Sequence, residues 1–83
     1  MTKPPQRLDV LGLFCPVPIL LAARAMQALG PGDLLEIVGD DPGIREDLPA
    51  WCDHAGHRLV ALADERGGKI RGLVEKGQPR RKG

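Results

Sequence analysis

The chain predicts an α/β two-layer sandwich of order β-α-β-α-β-β, in which a four-stranded mixed sheet carries both helices on one face. Three observations lead there: short alternating apolar segments, two stretches of helix formers between them, and glycine or proline punctuation at each junction. Right-handed crossovers follow from that order. With 83 residues, of which 42% are apolar and 28% charged, there is room for one compact domain with one modest core. The expected domain is 1–83, with a structured core at about 7–76 and a mobile basic tail over 77–83.

Arg7 to Val10 reads as a short strand, Leu8 and Val10 alternating with polar neighbours before Gly12 lets the chain turn. Pro16 to Leu29 is rich in Leu, Ala, Met, Arg and Gln, and Gly30-Pro31-Gly32 ends it, so a helix is expected there. Ile19, Ala22, Ala23, Met26 and Leu29 recur at helical spacing and should face the sheet. Leu34 to Val38 is a mostly buried strand closed by Gly39.

Asp40-Asp41-Pro42 announces a second helix, with aspartate as the N-cap. Pro49 removes an amide hydrogen and disfavours helical geometry at Leu48, so the first half of that helix should be irregular and Pro49 to Ala55 regular. Gly56 suits the C-cap. Arg58 to Ala63 and Lys69 to Val74 then form a hairpin around Glu65-Arg66-Gly67-Gly68. Lys76 to Gly83 has almost nothing to bury and reads as the mobile end.

Charge excludes several function classes. Twelve basic against eleven acidic residues give a net charge of +1, without the basic excess that phosphate neutralisation requires. Phe14 and Trp51 are the only aromatic residues, too few for a base-stacking platform, so no direct nucleic-acid contact is expected. The N-terminal segment is polar and proline-containing, and the longest apolar run, Ile19 to Ala23, is too short to span a bilayer. A soluble cytoplasmic protein with no membrane partner is the expectation, and its two cysteines should be thiols.

Cys15-Pro16-Val17-Pro18 is where the sequence begins to dictate chemistry. Proline fits the first turn of a helix, which puts Cys15 at or next to the N-cap. Amides and the positive end of a helix dipole there stabilise a thiolate or a persulfide anion, so Cys15 should ionise more readily than a free cysteine. Sulfane-sulfur transfer resembles thiol–disulfide exchange in needing an accessible thiolate and a good leaving thiolate, with no metal or bound cofactor. Taken locally, Cys15 reads equally well as a small hydrophobe buried near a turn.

The segment Leu11-Gly12-Leu13-Phe14-Cys15-Pro16-Val17-Pro18 resembles the C-P-x-P signature of the TusA (SirA-like) sulfur-carrier family. The likeness extends from about Leu8 to Gly77 through Asp9, Gly30-Pro31-Gly32-Asp33, Asp40-Asp41-Pro42 and Asp47-Leu48-Pro49 before Trp51-Cys52. It implies the same sandwich and a sulfurtransferase acting with partners. Sulfur would pass from a cysteine desulfurase-type donor to Cys15 as a persulfide, then to a cysteine on an acceptor protein, with tRNA thiolation among the routes served. Gly12, Pro16 and Pro18 match the motif's supporting positions. Several members place a basic residue before the cysteine, where this chain has Phe14, and Val17 stands where some relatives are polar.

Other uses of these residues remain in view. Cys52, His54 and His57 space like a partial metal site that lacks a fourth ligand unless Cys15 supplies it, and core packing of Cys52 is the better expectation. Asp40 and Asp41 are taken as structural. Phe14, Val17 and Leu21 are expected to form an apolar rim that contacts a donor or acceptor protein. The rival from another class is a non-catalytic regulatory or protein-binding module of the same fold, with Cys15 as a redox-sensitive contact.

Overall fold

A computed structural model describes residues 4–77. The elements are β1 (Gln6–Val10), α1 (Val17–Gln27), β2 (Leu34–Gly39), α2 (Ile44–Ala55), β3 (Arg58–Asp64) and β4 (Ile70–Glu75). A single 3-10 turn, Arg66–Gly68, joins β3 to β4. The order is the expected one, and the sheet is mixed.

Strands lie in the order β1-β2-β4-β3. β1 pairs parallel with β2, Leu8 opposite Ile37, whereas β4 runs antiparallel to both β2 and β3. Since α1 must carry the chain back before β2 can run alongside β1, the loops after β1 and β2 emerge at the same end of the sheet. Both helices therefore start there, side by side.

The core is the layer between sheet and helices. Val10, Leu35, Ile37, Ile70 and Val74 from the strands meet Ala22 and Met26 of α1 and Ile44, Leu48 and Cys52 of α2, all buried. Alternation along β2 and β4 puts residues 35 and 37, and 70 and 74, on one face, so the period-2 pattern of the sheet and the period-3.6 pattern of the helices close on each other. Arg45 and Asp64 pair at 2.8 Å across the surface from α2 to β3, an exposed contact of small energetic weight.

Three expectations need correction. Along α1, Ala22 and Met26 are buried as expected, but Pro18 joins them on the inward stripe while Ile19, Ala23 and Leu29 are only half-buried, so the inward face is turned slightly toward Pro18. Pro18 thus packs in the core as well as opening the helix. Second, α2 is continuous from Ile44 despite Pro49 inside it. A mid-helix proline costs about 3 kcal/mol. Ile44 and Leu48 are fully buried on the stripe that ends at Cys52, at about 1.5–3 kcal/mol for each large aliphatic side chain, which outweighs the break.

Third, Lys76 and Gly77 do not begin a mobile end. Lys76 donates its amide to the Asp33 carbonyl at 2.8 Å and its Nζ to the Leu29 carbonyl, and the Gly77 amide donates to His57 Nδ1 at 3.1 Å. The rest of the expected tail, 78–83, lies outside the described residues.

Leu48 sits at the centre of the helix–sheet layer. Leu48→Ala is expected to cost about 2–5 kcal/mol of unfolding free energy by urea titration, the usual range for an aliphatic core truncation. A loss under about 1 kcal/mol would mean that α2 is not held by this stripe.

Candidate functional site

Cys15 lies at the shared end of the parallel pair, the position where open α/β sheets present ligands and reacting groups. β1 ends at Val10, and Leu13 returns its amide to the Val10 carbonyl at 3.2 Å, closing a turn through Gly12 at φ +79°, a backbone conformation that glycine adopts without strain. Asp9 Oδ1 accepts from the Leu11 amide at 2.9 Å and sets the start of this turn. Pro16 is the N-cap of α1 and Pro18 stands in its first turn, so Cys15 immediately precedes the cap, as the two prolines predict.

Asp40 and Asp41 hold this loop from the other side. The N-cap of α2 is Gly43, and no side chain caps that helix. Asp40 Oδ1 instead accepts from the Gly12 amide at 3.0 Å, and Asp41 Oδ2 accepts from the Cys15 amide at 2.8 Å. Aspartates expected to cap their own helix are spent tying the loop after β2 to the loop after β1. That bond also holds the Asp41 carboxyl below its ordinary range, the Cys15 amide being the largest cause.

The Cys15 thiol is half-exposed and faces the first turn of α2. A Cβ placed on Gly43 would lie 3.4 Å from Cys15 Sγ, 3.3 Å from Asp41 Oδ2 and 3.7 Å from Asp47 Oδ2. Sulfur and two carboxylates are therefore gathered around one glycine, where a Cβ would crowd Asp41 Oδ2 and reach contact with Cys15 Sγ and Asp47 Oδ2.

This reverses the expected ionisation. Desolvation first, then hydrogen bonding to and repulsion from Asp41 and Asp47, push the Cys15 thiol up to about 12. The helix N-terminus that should have opposed this is weak, because Pro16 and Pro18 have no amide hydrogen and the Val17 amide is committed to the Phe14 carbonyl at 3.0 Å. The loss of anion-stabilising donors and the gain of two carboxylates act in the same direction.

Exposed apolar side chains occur close to Cys15 in the chain. Phe14 is 74% exposed, Leu20 62% and Val17 41%. Leu21, expected beside them, is half-buried and packs against the core, and Leu20 presents the exposed side chain in its place. Helical phase explains the exchange: once Pro18, Ala22 and Met26 point inward, residue 20 is turned outward.

The remaining candidates are elsewhere. Cys52 is 2% exposed in the core, where burial pushes its thiol up to about 11. His57 stacks at a tilt on Trp51 with ring centroids 5.1 Å apart, and burial, then Lys76, lowers its pKa. His54 is exposed on α2. No group of three or more potential metal-ligating side chains gathers among the described residues. No described helix is long and apolar enough to cross a membrane.

A half-exposed cysteine between two helix starts defines a small thiol-bearing two-layer α/β sandwich. Comparison with known proteins gives the family: residues 6–76 match the model for sulfurtransferase TusA. The chain is 42% identical over 60 residues to the sulfur carrier protein TusA of Pseudomonas syringae pv. syringae (strain B728a), covering 72% of this chain and 71% of that one. A crystal structure of a SirA-like protein from Desulfitobacterium hafniense superposes with a TM-score of 0.77 at 25% identity, covering 87% of this chain and 97% of that one. The chain belongs to the TusA family of sulfur carriers.

Asp41 supplies a pH signature. Its folded-state pKa lies below the ordinary value of 3.8, so its contribution to stability is present above that value and is lost as the pH falls through the folded pKa. Asp41→Asn is expected to lower the urea midpoint at pH 7, and the gap to wild type should narrow as the pH drops below 3.8. A gap that stays constant down to pH 2 would disprove the charged contact.

Proposed function

We propose that this protein accepts sulfane sulfur on Cys15 from a cysteine desulfurase-type donor and relays it to a cysteine of an acceptor protein in the cytoplasm, with tRNA thiolation one route it can serve. The observation that carries this is the contrast between the two thiols: Cys15 is half-exposed at the carboxyl end of β1, whereas Cys52 is sealed in the core. In loading, the Cys15 sulfur attacks the outer sulfur of the donor persulfide. The donor's S–S bond breaks, its electron pair leaves on the donor thiolate, and a new S–S bond forms on Cys15. Delivery repeats the step with Cys15 as the leaving thiolate, and no external oxidant or reductant is needed.

Gly12, Pro16 and Pro18 support the reaction by fixing the loop and the helix start, Pro18 from within the core. The apolar side chains of Phe14 and Val17, joined by Leu20, frame the sulfur and suit a protein partner better than a small polar molecule. The raised thiol pKa favours the rival reading, in which the same fold docks partners and Cys15 is a redox-sensitive contact. Transfer measurements separate the two.

Incubation with a cysteine desulfurase and cysteine is expected to add the mass of one sulfur atom to wild type and to Cys52→Ser, and none to Cys15→Ser. Sulfur gained equally by Cys15→Ser would overturn the assignment. A docking role for the rim predicts that Leu20→Glu slows protein-to-protein transfer at subsaturating donor while leaving the unfolding midpoint nearly unchanged, since a buried leucine contributes about 1.5–3 kcal/mol to an interface. Leu21→Glu should instead lose stability. Equal transfer by Leu20→Glu and wild type would remove the rim from the docking surface.

A further inference from the structure

Two carboxylates gather beside the Cys15 thiol. Asp41, from the loop after β2, and Asp47, from the first turn of α2, converge with Cys15 Sγ around Gly43. The Cys15 amide fixes the Asp41 carboxylate in place at 2.8 Å. Of the neighbouring acids, Asp40 is engaged by the Gly12 amide and Asp9 by the Leu11 amide, and the charge acting on the thiol comes from Asp41 and Asp47. α1 offers no acidic group in its first turn, and its one basic residue, Arg24, lies in its last turn.

We infer that Asp41 and Asp47 lock the empty Cys15 as a neutral thiol, and that the lock opens to a sulfur donor that brings a positively charged group onto these two carboxylates. Resting on the carrier reading above, this makes the two aspartates positioning residues that also select the donor by charge. A cation paired with them removes the repulsion that a forming thiolate would meet and competes for the carboxylate oxygens that hold the S–H. The thiolate then attacks the donor's outer sulfur, which keeps its own proton. The donor's S–S bond breaks, and the Cys15 proton ends on the thiolate that leaves the donor. One S–S bond is broken and one is made, with no net oxidation.

The lock has consequences that involve no sulfur donor. At fixed pH, each unit by which a thiol pKa falls multiplies its thiolate about tenfold while intrinsic nucleophilicity drops about threefold, a net gain of about threefold. The test is the pH–rate profile of iodoacetamide with Cys15, in Cys52→Ser to leave one thiol, for the parent, Asp41→Asn, Asp47→Asn and both together. The parent rate should climb without a plateau through pH 10. The carboxamide variants should react about threefold to tenfold faster at pH 7.5, with profiles moved to lower pH.

Charge selection is read with three disulfides: dicationic cystamine, neutral hydroxyethyl disulfide and dianionic dithiodipropionate, each normalised to its rate with a small neutral thiol. The parent should prefer cystamine over the neutral reagent by about tenfold, and that preference should disappear in the double variant. Coincident pH profiles for the parent and all carboxamide variants, or a cation preference that survives in the double variant, would overturn the inference. Asp41→Asn also touches the loop. Asp47→Asn alone therefore decides the matter if the double variant does not fold. Because no desulfurase enters these measurements, failure of Cys15 to load with sulfur would count against the carrier reading and leave the lock standing, while unmoved profiles would do the reverse.

Discussion

Two side chain-to-backbone hydrogen bonds, from the Gly12 amide to Asp40 and from the Cys15 amide to Asp41, decide what this fold can do. Without them the loops after β1 and β2 would be neighbours only by topology. With them the loops are one unit, and the cysteine is set against the start of α2 rather than only at the start of α1. Bonds from an amide to a charged carboxylate are stronger than neutral ones, so a short loop can be held by a pair of them. The parallel pairing of β1 with β2 is the precondition, because it brings both loops to the same end of the sheet.

The rest of the core serves that arrangement. α1 and α2 are anchored through stripes that begin almost at the site, Pro18 in the one and Ile44 in the other. The first turns that flank the cysteine are therefore among the most firmly packed parts of each helix. Burial of Ile44 and Leu48 is also what allows a proline inside α2, so the acidic first turn carrying Asp47 stays helical and keeps its place beside the sulfur. A kinked or frayed start, the natural expectation for Leu48-Pro49, would have removed one of the two carboxylates from the site.

Much of this was legible in the sequence. Element order, the mixed sheet and the place of Cys15 followed from punctuation and period, because glycine, proline and alternating apolar residues act locally. What did not follow depended on contacts between segments far apart in the chain. Nothing local to Asp40-Asp41 distinguishes an aspartate that caps its own helix from one that reaches an amide 26 or 28 residues away. The phase of α1 was slightly misjudged for a related reason, although Ala22 and Met26 face inward as expected. Proline was assigned to the helix start, while its ring is also apolar volume, and counting Pro18 as core rotates the exposed position from Leu21 to Leu20. The direction of the Cys15 pKa shift was missed because its causes, burial of the thiol first and then the approach of Asp41 and Asp47, come from segments far from Cys15 in the chain.

That last inversion bears on what a sulfur carrier requires. With its thiol pushed up to about 12, Cys15 carries far less thiolate at neutral pH than an ordinary cysteine does. Intrinsic nucleophilicity offsets only part of such a gap. On the proposed carrier reading, scarce thiolate would leave the empty carrier slow to react with adventitious electrophiles and oxidants, which attack through the thiolate. On the same reading, a transferred sulfur would stand about 2.05 Å beyond Sγ, so the charge of a persulfide would sit farther from Asp41 and Asp47 than that of a thiolate. The carboxylates then bear mainly on the inner sulfur, the atom that must depart as a thiolate on delivery. Repulsion there would slow loss of a cargo to a chance nucleophile, and an acceptor that neutralises the same carboxylates would lower that barrier. One pair of aspartates can in this way quiet the empty state and retain the loaded one.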